Sequence, residues 1–180
     1  MEHKGSSRWE GGVRLYVYSL KQDDPKKCTA AKLCRFRMAR DIRQASRLPT
    51  SAILLDPTSK RILLPSDRDR IVRRGVVAVD CSWNKVDQVF NHRFRGRDRR
   101  LPLLLPANPV SYGKVSRLSS LEALSATLFI CGFNVQAEKL LTLFKWGPTF
   151  LTLNRNLLEE YSRVVSVDDV VEVERSYFSV

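Results

Sequence analysis

The stretch "GVVAVDCSW", Gly75 to Trp83, is the part of the sequence most informative about the fold. Val76 to Val79 form a nearly continuous apolar run, which is typical of a strand buried on both faces. Strands of that kind occur in parallel sheets that are covered by helices. Asp80 follows the run directly and places a carboxylate at the carboxyl end of the strand. The stretch therefore predicts an α/β protein, in which further strands should alternate with helices.

The chain upstream of this strand has the pattern of a small N-terminal α/β lobe at 13–71, after a polar, glycine-rich tail at 1–12 that we expect to be mobile. The predicted elements of the lobe are a strand at Val13 to Tyr18, a helix from near Thr29 and a short buried strand in "SAILLDP". Ser66 and Asp69 match a capping box for one more helix, and Gly75 supplies its stop.

The chain downstream, 72–180, repeats the alternation and predicts a mainly parallel sheet. Its predicted elements are a short helix in "NKVDQVF", a second buried strand in "LPLLLP", a helix in "SSLEALSATLFICGF" that Gly132 ends, and two amphipathic helices around "KWGP". The tail "SVDDVVEVERSYFSV" gives no clear pattern.

The charge balance points to a polyanionic partner. The 180 residues carry a formal net charge of +12 and the pI is about 10.0. Excess charge of one sign opposes compaction, so its usual reason is nucleic acid. An acidic membrane surface is the rival, but the sequence has no long apolar run and no strongly amphipathic basic helix. A generally basic proteome or a charged thermostable surface also remains open.

The basic residues gather in two clusters, which we predict to bind RNA. The cluster before Leu101 contains arginine and no lysine, and arginine can grip phosphate bidentately and stack on bases. A solvated charged loop is the alternative. The predicted RNA-binding residues are Lys26, Lys27, Lys32, Arg35, Arg93, Arg95, Arg97, Arg99 and Arg100.

Most of the common catalytic and metal-binding signatures are missing from the sequence. No pair of the four cysteines has a C-x-x-C spacing, and the two histidines lie in polar contexts, so we expect no metal site. Glycine-rich phosphate loops and a nucleophilic triad are also missing. The sequence shows no signal peptide and no transmembrane segment, which makes the cytoplasm the default compartment.

Two segments end where an α/β enzyme would hold its ligand, outside the carboxyl ends of parallel strands. Asp80 and Trp83 follow the first strand, where a carboxylate could hold an ammonium group or accept a proton. Alternatively, Asp80 caps a helix and Trp83 fills the core. The uncharged run Leu101 to Gly113 has three prolines and suits a rigid loop around a ligand, or an ordinary rigid connection.

Together these motifs resemble those of the ribosomal RNA aminocarboxypropyltransferase family. The resemblance covers Val13 to Tyr161 and is carried by "DDPKKCTAAKL", "LDPTSKRILLPSDRD", "VAVDCSWNKVDQVF", "RRLPLLLPANPVSYGKVSRLSSLEALSATLFICGF" and "LFKWGPTFLTLNRNLLEEY". It implies a fold related to the SPOUT methyltransferases in the 72–180 part, with a trefoil knot. The sequence departs from the usual family loop at Pro106 and Ser111.

The resemblance also implies a reaction. S-adenosylmethionine would donate its 3-amino-3-carboxypropyl group to N3 of a uridine or pseudouridine in small-subunit rRNA, free or in a pre-ribosomal particle, and methylthioadenosine would leave. By resemblance, Asp80 and Trp83 are the catalytic residues: Trp83 packs near the methyl group, and Asp80 holds the amino acid portion or helps to remove the N3 proton. The residues that would bind the cofactor are Thr29, Val79, Asp80, Trp83, Leu101, Ser116 and Ser120. Family analogy favours a monomer. The alternatives are an RNA methyltransferase of the same superfamily and a non-catalytic rRNA-binding assembly factor.

Overall fold

The structure is a computed structural model that describes residues 12–20, 28–91 and 94–179. The predicted mobile tail falls almost wholly outside the described residues. The same holds for Lys26, Lys27 and Arg93 of the predicted RNA-binding set.

A five-stranded sheet forms the centre of the protein. Its strands are β1 (Leu15–Ser19), β2 (Arg40–Ile42), β3 (Ile53–Leu55), β4 (Val76–Asp80) and β5 (Arg97–Arg99). Their order across the sheet is β2-β1-β4-β3-β5, and every neighbouring pair is parallel. The predicted mixed α/β fold with a mainly parallel sheet is therefore confirmed.

The central strand, β4, is buried on both faces, as its apolar run predicts. Val76 and Ala78 belong to the larger hydrophobic core, which the helices cover. Val77 lies on the other face with Tyr16 and Leu54 in a smaller core. Because both faces exclude water, polar chemistry at β4 is confined to its ends.

Helices follow the strands as the alternation requires. The α-helices are α1 (Thr29–Arg35), α2 (Arg68–Arg74), α3 (Val86–Phe90), α4 (Ser120–Ile130), α5 (Asn134–Leu141), α6 (Gly147–Tyr161) and α7 (Val167–Tyr177). Ser119 and Glu122 form a capping box at the start of α4, and Gly132 takes a positive φ of 78° just after its end. No helix in the described ranges is long and apolar enough to cross a membrane.

Three local predictions were wrong. The segment "LPLLLP" is not a strand; the last strand is β5, just before it. β2 follows the first helix at a place where the sequence predicts no strand. The capping box predicted at Ser66 does not form at that position: the Asp67 carboxylate accepts from the Leu64 amide at 3.2 Å, and α2 begins at Arg68.

The sheet also bears on the predicted division of the chain at 71/72. β1, β2 and β3 come from before this boundary and β4 and β5 from after it, and all five pair in one sheet. The division into two domains therefore stays a proposal about evolutionary or folding units. Because all five strands are parallel, the carboxyl ends of strands from both parts lie along one edge of the sheet.

Candidate cofactor-binding site

A cavity of about 670 Å³ opens at the carboxyl ends of β3, β4 and β5. Its walls include the residues that end these strands, the segment that follows β5, and the starts of α1 and α4. Parallel α/β sheets hold ligands at this edge, because their loops diverge there and leave a crevice. The volume lies within the range of about 300–1,000 Å³ that is usual for small-molecule sites.

The structure brings together every residue that the sequence assigns to the cofactor. The lining residues include Thr29, Val79, Asp80, Trp83, Leu101, Ser116 and Ser120. They come from four stretches of the chain, at 29, 79–83, 101 and 116–120, and the fold collects them on one cavity. Their individual binding roles stay predictions.

Asp80 sits at the carboxyl end of β4 and faces the start of α1. Its carboxylate accepts from the Cys28 thiol at 3.1 Å, and the Ser120 hydroxyl lies 3.4 Å from its other oxygen. Burial, and then the nearby Asp80 charge, raise the pKa of Cys28 to about 12. The thiol is therefore neutral near pH 7 and serves as a donor to the carboxylate rather than as a nucleophile.

Trp83 is fixed by its own polar edge. It begins the short 3₁₀ turn Trp83–Lys85, and its indole N–H donates to the Leu118 carbonyl at 3.1 Å. This bond ties the turn after β4 to the loop before α4. The indole thereby becomes a positioned wall of the cavity, with its ring half-buried.

Residues 101–119, which we call the wall segment, are extended or turned and belong to no strand. A single bridge between Ile62 and Arg100 comes directly before them. Side chains from the helices hold its backbone instead. Glu174 of α7 accepts from the Leu103 amide at 3.0 Å, and Tyr161 of α6 donates to the Leu103 carbonyl at 3.1 Å. Asn154 of α6 holds both backbone groups of Leu105. Its side-chain oxygen accepts from the Leu105 amide at 2.7 Å, and its side-chain nitrogen donates to the Leu105 carbonyl at 2.8 Å.

Glu122 anchors the second half of the wall segment and is completely buried. One carboxylate oxygen accepts from the amides of Ala107 and Asn108 at 2.7 and 3.0 Å. The other accepts from the side-chain amide of Asn108 at 2.7 Å and from Ser119 at 2.8 Å. Together with the bonds at Leu103 and Leu105, these bonds show that side chains, rather than a neighbouring strand, hold the backbone of this apolar, proline-rich segment.

Ser116 has a hydroxyl group that a ligand could satisfy. Its φ of 61° lies in the left-handed region, and its amide donates to the Leu104 carbonyl at 2.8 Å. Its hydroxyl oxygen is shielded from solvent and has no hydrogen-bond partner among the described residues. Such orphaned groups are rare because they cost free energy. A polar ligand atom in the cavity that Ser116 lines would satisfy this hydroxyl, so the residues fit a cofactor with polar edges.

The arginines nearest the cavity are already paired. Arg99 grips Asp67 with two hydrogen bonds of 2.9 and 3.0 Å, and Arg100 donates to Glu174 at 3.1 Å. Both side chains are largely buried, with 19% and 26% of their surface exposed. These pairs hold β5 and the wall segment in place, which is a structural role in addition to the predicted contact with RNA.

The other predicted RNA-binding residues are spread over the surface. Lys32 donates to the Leu143 carbonyl and lies 4.1 Å above the ring centroid of Phe144. Arg35 is exposed on α1, and Arg95 and Arg97 are exposed at the beginning of β5, away from the cavity. RNA binding by these residues stays a prediction.

Sequence reasoning missed the residues that build the cavity rather than face the ligand. Asn154 and Glu174 lie in helices whose polar positions look like ordinary surface positions. Glu122 carried a signal, because a glutamate three residues after Ser119 is the capping-box pattern. The aromatic pair Phe144 and Trp146, with ring centroids 5.2 Å apart, also lines the cavity.

A parallel α/β sheet with a cavity at its carboxyl edge is typical of α/β proteins that bind a small-molecule ligand there. Comparison with known proteins gives the family. The family model described as "Ribosome biogenesis protein, C-terminal" matches residues 53–178. A 16S rRNA aminocarboxypropyltransferase of Methanosarcina mazei is 44% identical over 167 residues, which cover 92% of this chain and 95% of the relative. Another, of Methanopyrus kandleri, is 45% identical and covers 91% and 97%.

The chain belongs to the 16S rRNA aminocarboxypropyltransferase family. The solved structure of the SAM-dependent rRNA:acp-transferase Tsr3 from Vulcanisaeta distributa superimposes with a TM-score of 0.83 at 43% identity, over 91% of this chain and 88% of that one. The resemblance seen in the motifs is thereby confirmed.

A second family model, "Possible Fer4-like domain in RNase L inhibitor, RLI", matches residues 13–46. An iron–sulfur cluster of the ferredoxin type needs four cysteine thiolates, and this segment contains only Cys28 and Cys34. In the described part of the chain, no group of three or more His, Cys, Asp or Glu side chains is placed to hold a metal. The residues do not fit a cluster here.

Proposed function

We propose that the protein transfers the 3-amino-3-carboxypropyl group of S-adenosylmethionine to N3 of a uridine or pseudouridine in small-subunit rRNA, as a step of ribosome biogenesis. The observation that carries this proposal is the single cavity on which Asp80, Trp83 and the unpartnered Ser116 hydroxyl meet. Its relatives of 43–45% identity carry the names of aminocarboxypropyltransferases.

The bound S-adenosylmethionine supplies a sulfonium, which activates each carbon attached to its sulfur. In the transfer, a bond forms between N3 of the base and the γ-methylene carbon, the bond from that carbon to sulfur breaks with its electrons, and the N3 proton is released. The chemistry needs little from the protein beyond placement, which can contribute roughly 7–11 kcal/mol.

Asp80 and Trp83 divide the placement. The Asp80 carboxylate has the charge to hold an ammonium group or to receive the N3 proton, and Cys28 and Ser120 keep it oriented. The Trp83 ring offers an apolar and polarisable face for the methyl end of the cofactor. The rigid wall segment would then leave the aminocarboxypropyl arm, rather than the methyl group, for the RNA base.

A product assay tests the proposal directly. The wild-type protein is incubated with S-adenosylmethionine and unmodified small-subunit rRNA, and the nucleoside products are measured. We expect methylthioadenosine together with a base heavier by one aminocarboxypropyl group. Adenosylhomocysteine with a methylated base would identify a methyltransferase instead. Absence of both products, with no heat on titration of the cofactor, would identify a non-catalytic rRNA-binding factor.

Four further features are proposals of the same kind. The trefoil knot of the carboxyl-terminal half is supported by family membership and by the tight anchoring of the wall segment between α4, α6 and α7. Stretching the molecule from its two ends tests it, since a knot shortens the fully extended length. We also propose a monomer that acts on pre-ribosomal particles in the cytoplasm, which light scattering and particle co-sedimentation can check.

A further inference from the structure

A group of exposed arginines lies at the amino ends of the strands, on the edge of the sheet opposite the cavity. Arg14 directly precedes β1, Arg40 opens β2, and Arg74 stands two residues before β4. These strands are neighbours in the sheet, and their register aligns the three amino ends within about two residues. The three arginines are all exposed.

Neighbouring segments add to the same surface. Arg73 lies in the last turn of α2, and the Arg14 guanidinium donates to its carbonyl. Arg47 lies in the 3₁₀ turn of the connection that leads to the start of β3, and Arg95 donates to the Ser46 carbonyl of this turn at 3.2 Å. We call the set the arginine edge. Its members are Arg14, Arg40, Arg47, Arg73, Arg74 and Arg95.

The arginine edge is poorly compensated by acidic side chains. Arg73 has Asp69 at 3.7 Å, but both side chains are more than 70% exposed, so the pair is weak. Arg40, Arg47 and Arg74 have no hydrogen-bond or ion-pair partner for their side chains among the described residues. Uncompensated like charges oppose the folded state, and a bound polyanion removes this repulsion.

We propose that the arginine edge binds the sugar–phosphate backbone of the substrate rRNA, at a site separate from the reactive cavity. This inference rests on the proposed function for the identity of the polyanion. Guanidinium groups match phosphate oxygens bidentately, and this surface uses arginine rather than lysine. Adjacent strands are about 4.8 Å apart, so the β2-β1-β4 part of the edge spans about 10 Å.

The position of the edge determines which part of the RNA it holds. β4 has five residues, and a rise of about 3.3 Å per residue puts roughly 15 Å between its two ends. A nucleotide in the cavity and a phosphate on the arginine edge therefore belong to different parts of the RNA. The edge would hold a flanking segment and leave the target base free to enter the cavity.

A charge-matched pair of variants tests this. The first replaces the unpartnered arginines of the edge (R40Q, R47Q, R74Q). The control replaces three exposed arginines of the α6–α7 region (R155Q, R163Q, R175Q), so that the net charge falls equally. Affinity for small-subunit rRNA is measured over a range of salt concentrations, alongside calorimetric titration with S-adenosylmethionine.

We expect the edge variant to lose at least tenfold in RNA affinity near 0.1 M salt, and its log–log salt slope to become shallower by about 2, at roughly 0.7 per lost contact. The control should lose less than threefold, and both should bind the cofactor as the wild type does. Equal losses in the two variants, or none in either, would overturn the inference. Failure of the wild type to make methylthioadenosine would instead refute the proposed function, and leave the comparison of affinities readable.

Discussion

The two ends of the β-sheet show opposite ways of using arginine. At the carboxyl edge, Arg99 and Arg100 are buried against Asp67 and Glu174 and help to hold a rigid wall. At the amino edge, arginines such as Arg74 are exposed and unpartnered. A run of arginines in a sequence therefore does not have a single structural role, because carboxylates distant in sequence determine which guanidinium groups are paired.

The largest effect should come from the buried carboxylate that anchors the carboxyl edge. Glu122→Ala leaves the amides of Ala107, Asn108 and Ser119 without an acceptor, and each loss costs about 1–3 kcal/mol. We expect the free energy of unfolding to fall by about 4 kcal/mol in denaturant titration. Glu138→Ala, at an exposed position of α5, serves as the control and should change stability by less than about 0.5 kcal/mol.

Asp80 should matter for activity more than for folding. Asp80→Ala removes the charge at the end of β4, and misplacement of a bound substrate by about 1 Å can lower a rate about a hundredfold. We therefore expect methylthioadenosine formation to fall about a hundredfold. The exposed Asp168→Ala in α7 should keep the wild-type rate. A similar rate for the two variants would show that Asp80 takes no part in the reaction.

The arginines of the two edges should differ in how much they contribute to the free energy of unfolding. Arg99→Gln breaks a two-bond contact with Asp67 and leaves a largely buried carboxylate, so unfolding should become easier by about 2 kcal/mol. Arg74→Gln removes an exposed, unpartnered charge and should stay within about 0.5 kcal/mol of the wild type. Equal costs would mean that the ion pair at the carboxyl edge contributes nothing.

Ser116→Ala should have effects of opposite sign on folding and binding. Without ligand, the change removes a shielded hydroxyl that has no partner, so stability should rise by up to about 1 kcal/mol. With S-adenosylmethionine, it removes a hydrogen bond, so affinity should fall up to about tenfold in calorimetry. An unchanged affinity would show that the cofactor does not use this hydroxyl.

The smallest effect concerns the thiols. Burial is the main reason that the pKa of Cys28 and of Cys131 rises to about 12, and that of Cys34 to about 11. Folding is therefore favoured at pH values below the unfolded thiol pKa of about 8.5, and this contribution is lost as the pH rises through 11–12. Alkylation at pH 8, mapped by mass spectrometry, should be slower at each of the three than in the denatured chain. Equal rates would contradict the burial.

The sequence was informative where a pattern is local. The continuous apolar run Val76 to Val79 predicted β4, and the serine start with the Gly132 stop predicted α4. It failed at "LPLLLP", because strand propensity does not show that Asn154, Tyr161 and Glu174 will take the backbone partners of this segment. It also missed β2, since a three-residue edge strand depends on its neighbour for stability more than on its own composition.

The candidate site was predictable to a different degree. Residues that line the cavity could be named through the family motifs, and they do meet on one cavity. The residues that support them could not, because a buried asparagine and an exposed one look alike in a single sequence. The pairing of Arg99 and Arg100 is of the same kind, since their partners are 32 and 74 positions away along the chain.

The anchoring of Leu103 by Glu174 has a consequence for the order in which the molecule matures. These residues are 71 positions apart, and the carboxylate comes near the end of the described chain. During synthesis this contact cannot form until α7 has left the exit tunnel. The bonds from Glu122, Asn154 and Tyr161 can form earlier, so the start of the wall segment gains its Glu174 anchor last.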